Sequence, residues 1–579
     1  MSAVVLSGVG KTFGGRPALS GIEAVVSKGM ITGVAGPDGA GKTTLMRLMA
    51  GLLRPDTGRV SVLGHDPVAE AGLLRPRMGY MPQKFGLYED LSVMENLTLH
   101  ADLRGVTGAA RDETFARLLE FTDLRRFTAR MAGRLSGGMK QKLGLACALL
   151  GTPEVLLLDE PGVGVDPISR RDLWKMVREL SSGGLAVVWS TAYLDEAEAC
   201  DSVLLLNEGN LLFSGKPGKL TGRLAGRSLH LRGVTDHRRQ VLGRLLARPE
   251  VADGVIQGAS LRIVLKDGAK TPDPDELKLT GSPSWHEVPP RFEDAFIDLL
   301  GGGPGGGSAL AEAMPVRPSI SGNLIEARDL TKKFGEFTAA NQVTFAVRQG
   351  EIFGLLGPNG AGKSTIFKMM CGLLRPTSGQ ARVMGIDLAR SPARARQRLG
   401  YMAQKFSLYG ALTTRQNLEF FAGAYGLSRS RRQQAVAGMT AAFRLNPFLS
   451  TRADDLPLGF KQRLALACAA MHEPDILFLD EPTSGVDPVT RREFWNHINA
   501  MVEKGVTVMV TTHFMDEAEY CDRIGLVNQG RLIALAPPDE LKARAASPEL
   551  PDPAMEDAFI ALIDRKSTRL NSSHGRRSR

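Results

Sequence analysis

The sequence predicts an α/β protein in which one domain occurs twice. Short apolar runs such as MITGVAG and IFGLLG precede glycine-rich loops, and an apolar pattern of helical spacing follows each loop. The loop GPDGAGKTT begins at Gly36 and the loop GPNGAGKST begins at Gly357, so the two copies are 321 residues apart. The same offset relates Asp159 to Asp480, and the copies therefore align without a net gap. Differences between the copies can thus be interpreted as substitutions with chemical consequences.

Length and composition are those of a multidomain globular protein. The 579 residues are enough for several domains with their own cores. Hydrophobic residues make up 43% and charged residues 23% of the chain, which is ordinary for this class. No uninterrupted apolar run approaches the roughly 18 residues that a membrane-spanning helix needs, and the N-terminus lacks a signal-peptide pattern. We therefore expect no segment that crosses a bilayer.

The five cysteines are scattered, with no Cys-x-x-Cys pattern and no cluster with histidine. This distribution favours small apolar residues on packed helices in a reducing compartment over metal ligands. The sequence therefore predicts no cysteine-bound metal.

The net charge of +10 invites a nucleic-acid hypothesis, but much of it comes from the last residues. Residues 565–579 contain six Lys or Arg and no Asp or Glu, and the stretch from Asp564 to His574 resembles a translated sequencing adapter. Without residues 565–579 the net charge falls from +10 to +4, an ordinary value for this length. We interpret them as an artefactual or disordered tail, with a natural basic tail as the alternative, and expect no nucleic-acid partner.

The repeat divides the chain into domains. Copy one is expected over residues 3–224, and copy two, with a terminal helix, over residues 323–564. Alternating runs such as SLHLRGV predict a small α+β accessory domain between them, which covers residues 225–300 together with its own terminal helix. Residues 301–322 are rich in Gly and Pro, which is typical of a flexible linker.

Both glycine-rich loops match the pattern G-x-x-x-x-G-K-[ST]. In this pattern successive backbone N–H groups surround a β-phosphate, and the lysine, here Lys42 or Lys363, neutralises phosphate charge. The strand before each loop and the helix after it support the assignment, because a helix N-terminus binds anions. The expected ATP-binding residues of the loops are Gly36, Pro37, Asp38, Gly39, Ala40, Gly41, Lys42, Thr43 and Thr44 in copy one, and Gly357, Pro358, Asn359, Gly360, Ala361, Gly362, Lys363, Ser364 and Thr365 in copy two.

Each copy also has four hydrophobic residues followed by Asp-Glu, which end at Glu160 and Glu481. A buried strand would deliver Asp159 or Asp480 to the Mg²⁺ shell. The adjacent glutamate is placed to polarise an attacking water. A helix N-cap is the alternative for a single Asp-Glu pair, but the matched distance from a phosphate loop favours catalysis.

Between loop and carboxylates, copy one carries LSGGMKQK from Leu135 to Lys142, which resembles the signature of ABC-type ATPases. The resemblance covers most of residues 3–540 outside the accessory domain and the linker. It extends to the segments around Gln83, Gln404, Asp166, Asp487 and Thr512. The implied fold is two phosphate-loop cassettes in tandem, each a RecA-like core with a helical subdomain, and the implied cofactors are ATP and Mg²⁺.

The resemblance also implies roles for individual residues. The family stacks an aromatic ring on adenine where Phe13 and Phe334 stand, although core packing is the alternative for a lone phenylalanine. The expected Mg²⁺ ligands are Thr43, Ser364, Gln83, Gln404, Asp159 and Asp480. The expected catalytic residues are Glu481, His513, Gln404, Lys363 and Glu160.

In this family two cassettes pair head to tail, and ATP lies between the phosphate loop of one and the signature of the other. Ser136, Gly137 and Gly138 would therefore bind the γ-phosphate of an ATP held by the second phosphate loop. Each composite site would contain residues of both copies.

The two copies differ at positions that are expected to contact the γ-phosphate. In the second signature Pro457 and Leu458 replace Ser136 and Gly137, and proline has neither a hydroxyl group nor an amide hydrogen. In copy one Ala192 stands at the position of His513, which the family points at the γ-phosphate.

Cross-pairing places both losses in one composite site, which also contains Asp38 where copy two has Asn359. Drift would scatter such losses over both sites, so the sequence predicts one hydrolytic and one degenerate site. Glu160 is retained, and slow turnover at the degenerate site stays an open alternative.

The closest resemblance is to fused tandem ATP-binding subunits of bacterial exporters for drugs and small cations. These pair with two separate integral membrane permease chains, which need not be identical. The segments after Gln83 and Gln404, with Phe85, Leu87, Tyr88, Phe406, Leu408 and Tyr409, would contact the permeases, although local core packing is the alternative. The implied location is the cytoplasmic face of the bacterial inner membrane, with peripheral attachment through these partners.

A soluble tandem ABC ATPase that acts on ribosomes in translation is the alternative function. Those factors carry a long, charged helical linker and two intact signatures. Here the linker is rich in Gly and Pro and one signature is broken, which favours the exporter.

Overall fold

The computed structural model describes residues 2–83, 86–312, 314–320, 322–404, 408–512, 514–548, 550–551 and 553–563. The chain forms two compact units. Among these residues, the first unit contains those within 2–225, 289–299 and 485–488, and the second contains those within 226–288, 300–484 and 489–563. Among the described residues, no helix has both the length and the apolar character needed to cross a membrane.

Two sheets form the framework of the first unit. Its strands are Ser2–Phe13 (β1), Arg16–Ser27 (β2), Ile31–Ala35 (β3), Thr57–Val62 (β4), Met78–Met81 (β5), Val155–Asp159 (β6), Ala186–Thr191 (β7), Ser202–Asn207 (β8) and Asn210–Gly215 (β9). Its helices are Lys42–Met49 (α1), Ala71–Leu74 (α2), Val93–Leu103 (α3), Gly108–Phe121 (α4), Gly137–Ala148 (α5), Pro167–Ser182 (α6), Leu194–Glu198 (α7) and Pro217–Thr221 (α8).

The larger sheet has the order β5-β6-β7-β3-β8-β9, and only β9 is antiparallel to its neighbour. Every residue of β3, β6 and β7 is buried, as expected for parallel strands covered on both faces. The smaller sheet, β2-β1-β4, is antiparallel, and its core residues cluster with those of α1 and the larger sheet. Because the parallel strands share one direction, the segments after β3, β6 and β7 lie at the same edge.

Helices α3 to α5 form the helical part of this cassette, between β5 and β6. Helix α3 begins with a capping box: Ser92 accepts a hydrogen bond from the Glu95 amide, and the Glu95 carboxylate accepts one from the Ser92 amide. The capping box in helix α3 thus fixes where the helical part begins after the Gln83 segment.

The accessory module, residues 226–288, belongs to the second unit although it follows the first cassette in sequence. Its elements are Ser228–Val234 (β10), Arg238–Leu246 (α9), Val251–Gln257 (β11), Ser260–Leu265 (β12) and Gly281–Glu287 (β13). They form an antiparallel sheet of order β11-β12-β10-β13 with α9 packed on β11 and β12. The chain then re-enters the first unit in helix Phe292–Leu299 (α10), where Phe292 and Phe296 are fully buried.

The Gly/Pro-rich linker is partly ordered against the second unit. It contains the short helix Ala309–Glu312 (α11), and both Leu310 and Met314 are buried. The Ser308 hydroxyl lies 2.9 Å from Nδ1 of His497. Its glycine content suggests flexibility, but these apolar side chains anchor this part of the linker.

The second cassette repeats the first. Its strands are Asn323–Phe334 (β14), Phe337–Arg348 (β15), Ile352–Leu356 (β16), Ser378–Val383 (β17), Ile386–Asp387 (β18), Leu399–Met402 (β19), Ile476–Asp480 (β20), Thr507–Thr511 (β21), Arg523–Asn528 (β22) and Arg531–Ala536 (β23). Its helices are Lys363–Met370 (α12), Pro392–Arg396 (α13), Thr414–Ala424 (α14), Arg429–Ala442 (α15), Leu458–Ala470 (α16), Pro488–Glu503 (α17), Met515–Ala518 (α18) and Pro538–Ala545 (α19). Residues 555–563 are also helical.

The sheet order β19-β20-β21-β16-β22-β23 matches that of the first cassette strand for strand. The predicted α/β fold with two equivalent cassettes is thereby confirmed. All five cysteines are buried, in keeping with their interpretation as packed apolar residues. The predicted tail, residues 565–579, lies outside the described residues.

Candidate functional site

Both glycine-rich loops lie at the carboxyl edge of the parallel strands, between β3 and α1 and between β16 and α12. Each helix starts after a glycine with φ near 101°, Gly41 or Gly362. A side chain there would be strained by the left-handed backbone and would overlap the carbonyl oxygen of Ala18 or Ala339. Only glycine therefore allows the loop to curl tightly enough to present the first amides of the helix to an anion.

The two loop lysines fold back over the loops. The ammonium group of Lys42 donates to the carbonyl oxygens of Gly36 and Pro37 at 2.9 and 3.0 Å. The ammonium group of Lys363 donates to those of Gly357 and Pro358 at 2.6 and 3.1 Å. Both lysines are almost fully buried, so each cation is fixed at the centre of its loop.

The predicted metal-binding residues of the first cassette converge beside this loop. The Thr43 hydroxyl donates to Oδ1 of Asp159 at 3.2 Å, and the Ser190 hydroxyl donates to the same oxygen at 2.6 Å. Oδ2 of Asp159 is buried without a hydrogen-bond partner among the described residues. A buried carboxylate oxygen beside a threonine hydroxyl is a suitable ligand pair for Mg²⁺, so these residues fit the ion.

The second cassette places Ser364 in the first turn of α12 and Asp480 at the end of β20. Burial raises the pKa of Asp480 above its usual range, while the hydrogen bond from Thr511 lowers it. Burial likewise raises the pKa of Asp159. A bound cation would oppose this shift and stabilise both carboxylates in their charged form.

The structure brings each predicted glutamine to its predicted glutamate. Nε2 of Gln83 donates to Oε2 of Glu160 at 2.6 Å, and Nε2 of Gln404 donates to Oε2 of Glu481 at 2.7 Å. Glu160 and Glu481 have φ values of 51° and 49°, in the left-handed region that non-glycine residues rarely adopt. Such strain is typical of residues that the surrounding structure holds for a function.

Asp38 is the loop residue that differs most in chemistry between the copies. Burial raises the pKa of its carboxyl to about 6, and the nearby Lys42 ammonium group lowers it. At neutral pH, above this pKa, the carboxyl is therefore mostly charged, close to where phosphates would bind. Asn359 occupies the corresponding position without that charge.

The two phenylalanines expected at adenine end the first strand of each cassette. Phe13 is 49% exposed and Phe334 is 51% exposed. Core packing, the alternative for each ring, is thus excluded by its exposure. The ammonium groups of Lys11 and Lys332 lie 5.6 and 5.1 Å from the centres of these rings.

The signature helices begin differently in the two cassettes. Ser136 caps α5, since its hydroxyl oxygen accepts a hydrogen bond from the Met139 amide at 3.3 Å. Pro457 occupies the cap of α16 and makes no side-chain hydrogen bond there. The substitution of Ser136 by Pro457 therefore removes a helix cap as well as a donor.

The residue expected to contact the γ-phosphate follows β7 and β21. Ala192 is buried in the first cassette. His513 lies outside the described residues, but the residues on either side of it are fixed. The Phe514 amide donates to the Thr512 hydroxyl oxygen at 2.9 Å, and the Thr512 hydroxyl donates to Oε2 of Glu517 at 2.6 Å.

A buried carboxylate that sequence reasoning missed anchors this segment. Glu517 is 1% exposed, and its other oxygen, Oε1, accepts a hydrogen bond from the Thr483 hydroxyl. Thr483 stands two residues after Glu481. Glu517 therefore connects the loop that follows Glu481 to the segment in which His513 stands.

The first cassette lacks this connection. Glu196 corresponds to Glu517, but Gly162 stands at the position of Thr483. Oε1 of Glu196 is buried without a hydrogen-bond partner among the described residues, and burial raises the pKa of this carboxyl well above its usual range. The exchange of threonine for glycine was visible in the aligned copies, but only the fold shows what the hydroxyl contacts.

Thr483→Val is expected to lower the free energy of unfolding by about 1–3 kcal/mol, because it removes the hydroxyl group that donates a hydrogen bond to the buried Glu517 carboxylate. It should also lower kcat for ATP several-fold with little change in KM, since the segment beside His513 loses an anchor. Thr483→Ser, which keeps the hydroxyl, should behave like the unmodified chain. Denaturant unfolding and steady-state ATPase assays check both expectations; equal behaviour of the serine and valine variants would contradict them.

Comparisons with known proteins agree with this geometry. The family described as ABC transporter matches residues 19–163 and 340–484. "Probable multidrug ABC transporter ATP-binding protein YbhF" of Escherichia coli K12 is 62% identical over 567 residues, which cover 97% of this chain and 98% of that protein. "Linearmycin resistance ATP-binding protein LnrL" of Bacillus subtilis is 34% identical over 42% of this chain and 78% of its own length.

The family match falls on both cassettes and includes both phosphate loops, both signature segments and both pairs of Asp and Glu. The similarity to the Escherichia coli protein extends through the accessory module and the linker. The chain therefore belongs to the ABC transporter family, as an ABC-type ATPase and ATP-binding protein with two cassettes in tandem.

Proposed function

We propose that this chain couples ATP binding and hydrolysis to the export of small molecules, drugs or cations, through separate membrane permease subunits. The observation that carries the proposal furthest is the similarity over nearly the full length to a protein named as a probable multidrug transporter subunit. The ATPase machinery is present in both cassettes, and the chain has no membrane-spanning helix among its described residues. In this proposal, cassette closure is transmitted to the permease subunits.

Hydrolysis is assigned to the composite site that contains the second phosphate loop and the first signature. Lys363 neutralises phosphate charge, and Glu481 polarises the attacking water, held in place by Gln404. Mg²⁺, held by Ser364, Gln404 and Asp480, would supply charge stabilisation at the phosphates when it is bound. The capped start of α5 at Ser136 offers amide donors to the γ-phosphate.

The other composite site, with the first phosphate loop and the second signature, is assigned to nucleotide holding. Pro457 cannot donate a hydrogen bond, and Ala192 cannot contact a γ-phosphate through an imidazole ring. The Asp38 carboxylate adds negative charge beside the phosphates. The loss of one preorganised donor typically lowers a rate on the order of a hundred- to a thousand-fold, although combined losses need not multiply.

The surface beside the Gln83 and Gln404 segments is proposed to contact the permeases. Tyr88 is 55% exposed, and its amide donates to Oδ1 of Asn96 at 2.9 Å. Tyr409 is held in the same way by Asn417 and packs edge-on against Phe420, whose ring centre lies 4.5 Å away. Exposed aromatic rings on a fixed backbone are typical of protein–protein contact sites.

Leu87 and Leu408, also expected at this surface, are half-buried, while Phe85 and Phe406 lie outside the described residues. Two such surfaces, one on each cassette, fit two permease subunits. The chain would then be attached peripherally to the cytoplasmic face of the bacterial inner membrane through its partners.

Co-purification tests this function. Tagged chain from solubilised membranes should recover integral membrane proteins, and Tyr409→Asp or Tyr88→Asp should reduce the recovery at least several-fold, because a charge disrupts an apolar contact. Both variants should keep the ATPase activity of the purified chain, since neither residue lies at the phosphate loops. Recovery with ribosomes from a detergent-free lysate, without membrane association, would contradict the exporter and support the ribosomal alternative.

A further inference from the structure

The accessory module contacts the second cassette through charged side chains at helix α17 and at Asp522, the residue before strand β22. Nη2 of Arg239, in α9, donates to Oδ2 of Asp522 at 2.7 Å, and Nε of Arg239 donates to Oδ1 of Asn499 at 3.2 Å. Asp253 on β11, which is 3% exposed, accepts a hydrogen bond from Nε of Arg492 at 3.1 Å. These contacts join the module to α17 at positions 492 and 499.

The first cassette makes the corresponding contact with a cation of its own helix α6. There Nη1 of Arg178 in α6 donates to Oδ1 of Asp201 at 2.7 Å, and Oδ2 of Asp201 accepts from the Ile31 amide at 2.8 Å. Asp201 thus joins helix α6 to strand β3. This interaction needs a cation on the helix, which Arg178 provides.

In the second cassette the helix does not provide that cation. Asn499 stands at the position of Arg178, while Asp522 keeps the role of Asp201 and accepts from the Ile352 amide at 2.8 Å. Arg239 of the module reaches both Asp522 and Asn499. The module therefore supplies the guanidinium group that this helix has lost.

The same helix is also held by its other contacts along one side. Nη1 of Arg492 donates to the hydroxyl oxygen of Tyr520 at 3.1 Å, and the Tyr520 ring stacks on Trp495 with ring centres 4.7 Å apart. In the linker, the Gly305 carbonyl oxygen accepts from Asn496 at 2.5 Å. The accessory module and the linker thus both contact helix α17.

We propose that the accessory module is a brace that positions α17 for hydrolysis, with Arg239 and Asp253 as its positioning residues. Helix α17 begins at Pro488, directly after Asp487 and seven residues after Glu481. A shift of the helix would displace the loop that follows the catalytic glutamate, and small displacements of reacting groups have large effects on rate. The inference rests on the proposed assignment of hydrolysis to Glu481.

Arg239→Ala in the full chain tests the brace. We expect kcat for ATP to fall about tenfold to a hundredfold with KM unchanged. We also expect backbone amides of residues 226–288 to exchange hydrogen at least about tenfold faster, because the module loses one of its contacts with helix α17. Asp253→Asn, which keeps the shape of the side chain, should shift both quantities in the same direction.

Asn499→Arg provides the rescue, because it copies the arrangement of the first cassette. In the Arg239→Ala background it should restore kcat to within about threefold of the unmodified chain, since Asp522 regains a cation from α17 itself. Amide exchange in the module should stay fast, because the contact that the module made through Arg239 is not restored. If Arg239→Ala merely impaired folding of the chain, Asn499→Arg would not restore kcat while leaving amide exchange in the module fast.

Three results would overturn the proposal: unchanged kcat in Arg239→Ala, unchanged module protection in that variant, or no recovery of kcat with Asn499→Arg. Failure of the proposed function can be distinguished from failure of the brace. If hydrolysis does not depend on Glu481, Glu481→Gln will keep full ATPase activity, whatever the kcat of Arg239→Ala.

Discussion

Glu481→Gln is expected to abolish ATPase activity, with a loss on the order of a hundredfold or more, whereas Glu160→Gln should leave most of it. The two glutamates are nearly identical in geometry. Each accepts a hydrogen bond from its glutamine, at 2.6 Å for Glu160 and 2.7 Å for Glu481, and both have the same left-handed backbone. Any difference in their importance must therefore come from their surroundings.

Those surroundings differ at several positions at once. The composite site proposed for Glu160 has Ala192 in place of a histidine, Pro457 in place of a serine and the Asp38 carboxyl near the expected phosphates. Steady-state ATPase assays at saturating ATP compare the variants, and ATP-binding assays confirm that both still bind nucleotide. Equal losses of ATPase activity in Glu481→Gln and Glu160→Gln would contradict the predicted asymmetry of the two composite sites.

Ser136→Pro is expected to lower ATPase activity on the order of a hundred- to a thousand-fold, because it copies Pro457 into the intact signature. The substitution removes the amide hydrogen at this position and the cap that accepts from the Met139 amide. The lost cap alone should cost about 1 kcal/mol of stability, which thermal unfolding measures separately from activity.

The matched control is Pro457→Ser in the second signature. It should change total activity little, because Ala192 still leaves that composite site without its histidine. A large gain of activity from Pro457→Ser, or a negligible loss from Ser136→Pro, would show that the signatures do not serve the sites proposed for them.

The phosphate loops and the paired carboxylates were predictable because each belongs to a short pattern with a fixed chemical reason, whereas Gln83 and Gln404 were expected from the family resemblance. The constant offset between the copies then exposed Pro457 and Ala192 as substitutions. The strand-by-strand equivalence of the two large sheets also follows from that offset.

The contacts of Thr483 and Arg239 were not predictable in this way. Thr483 meets Glu517 across 34 residues, and Arg239 meets Asp522 across 283 residues. No local pattern links such partners, because their pairing depends on how strands and helices pack. The exchange of Arg178 for Asn499 was visible in the sequence, but its compensation by the accessory module required the fold.

A structure of the Glu481→Gln chain with ATP and Mg²⁺ tests the central claim most directly. We expect the nucleotide on the Lys363 loop to contact the amides that follow Ser136, and the nucleotide on the Lys42 loop to face Pro457 without that contact. Two nucleotides that are each enclosed by residues of a single cassette would contradict the shared sites, and two equivalent sets of phosphate contacts would contradict their asymmetry.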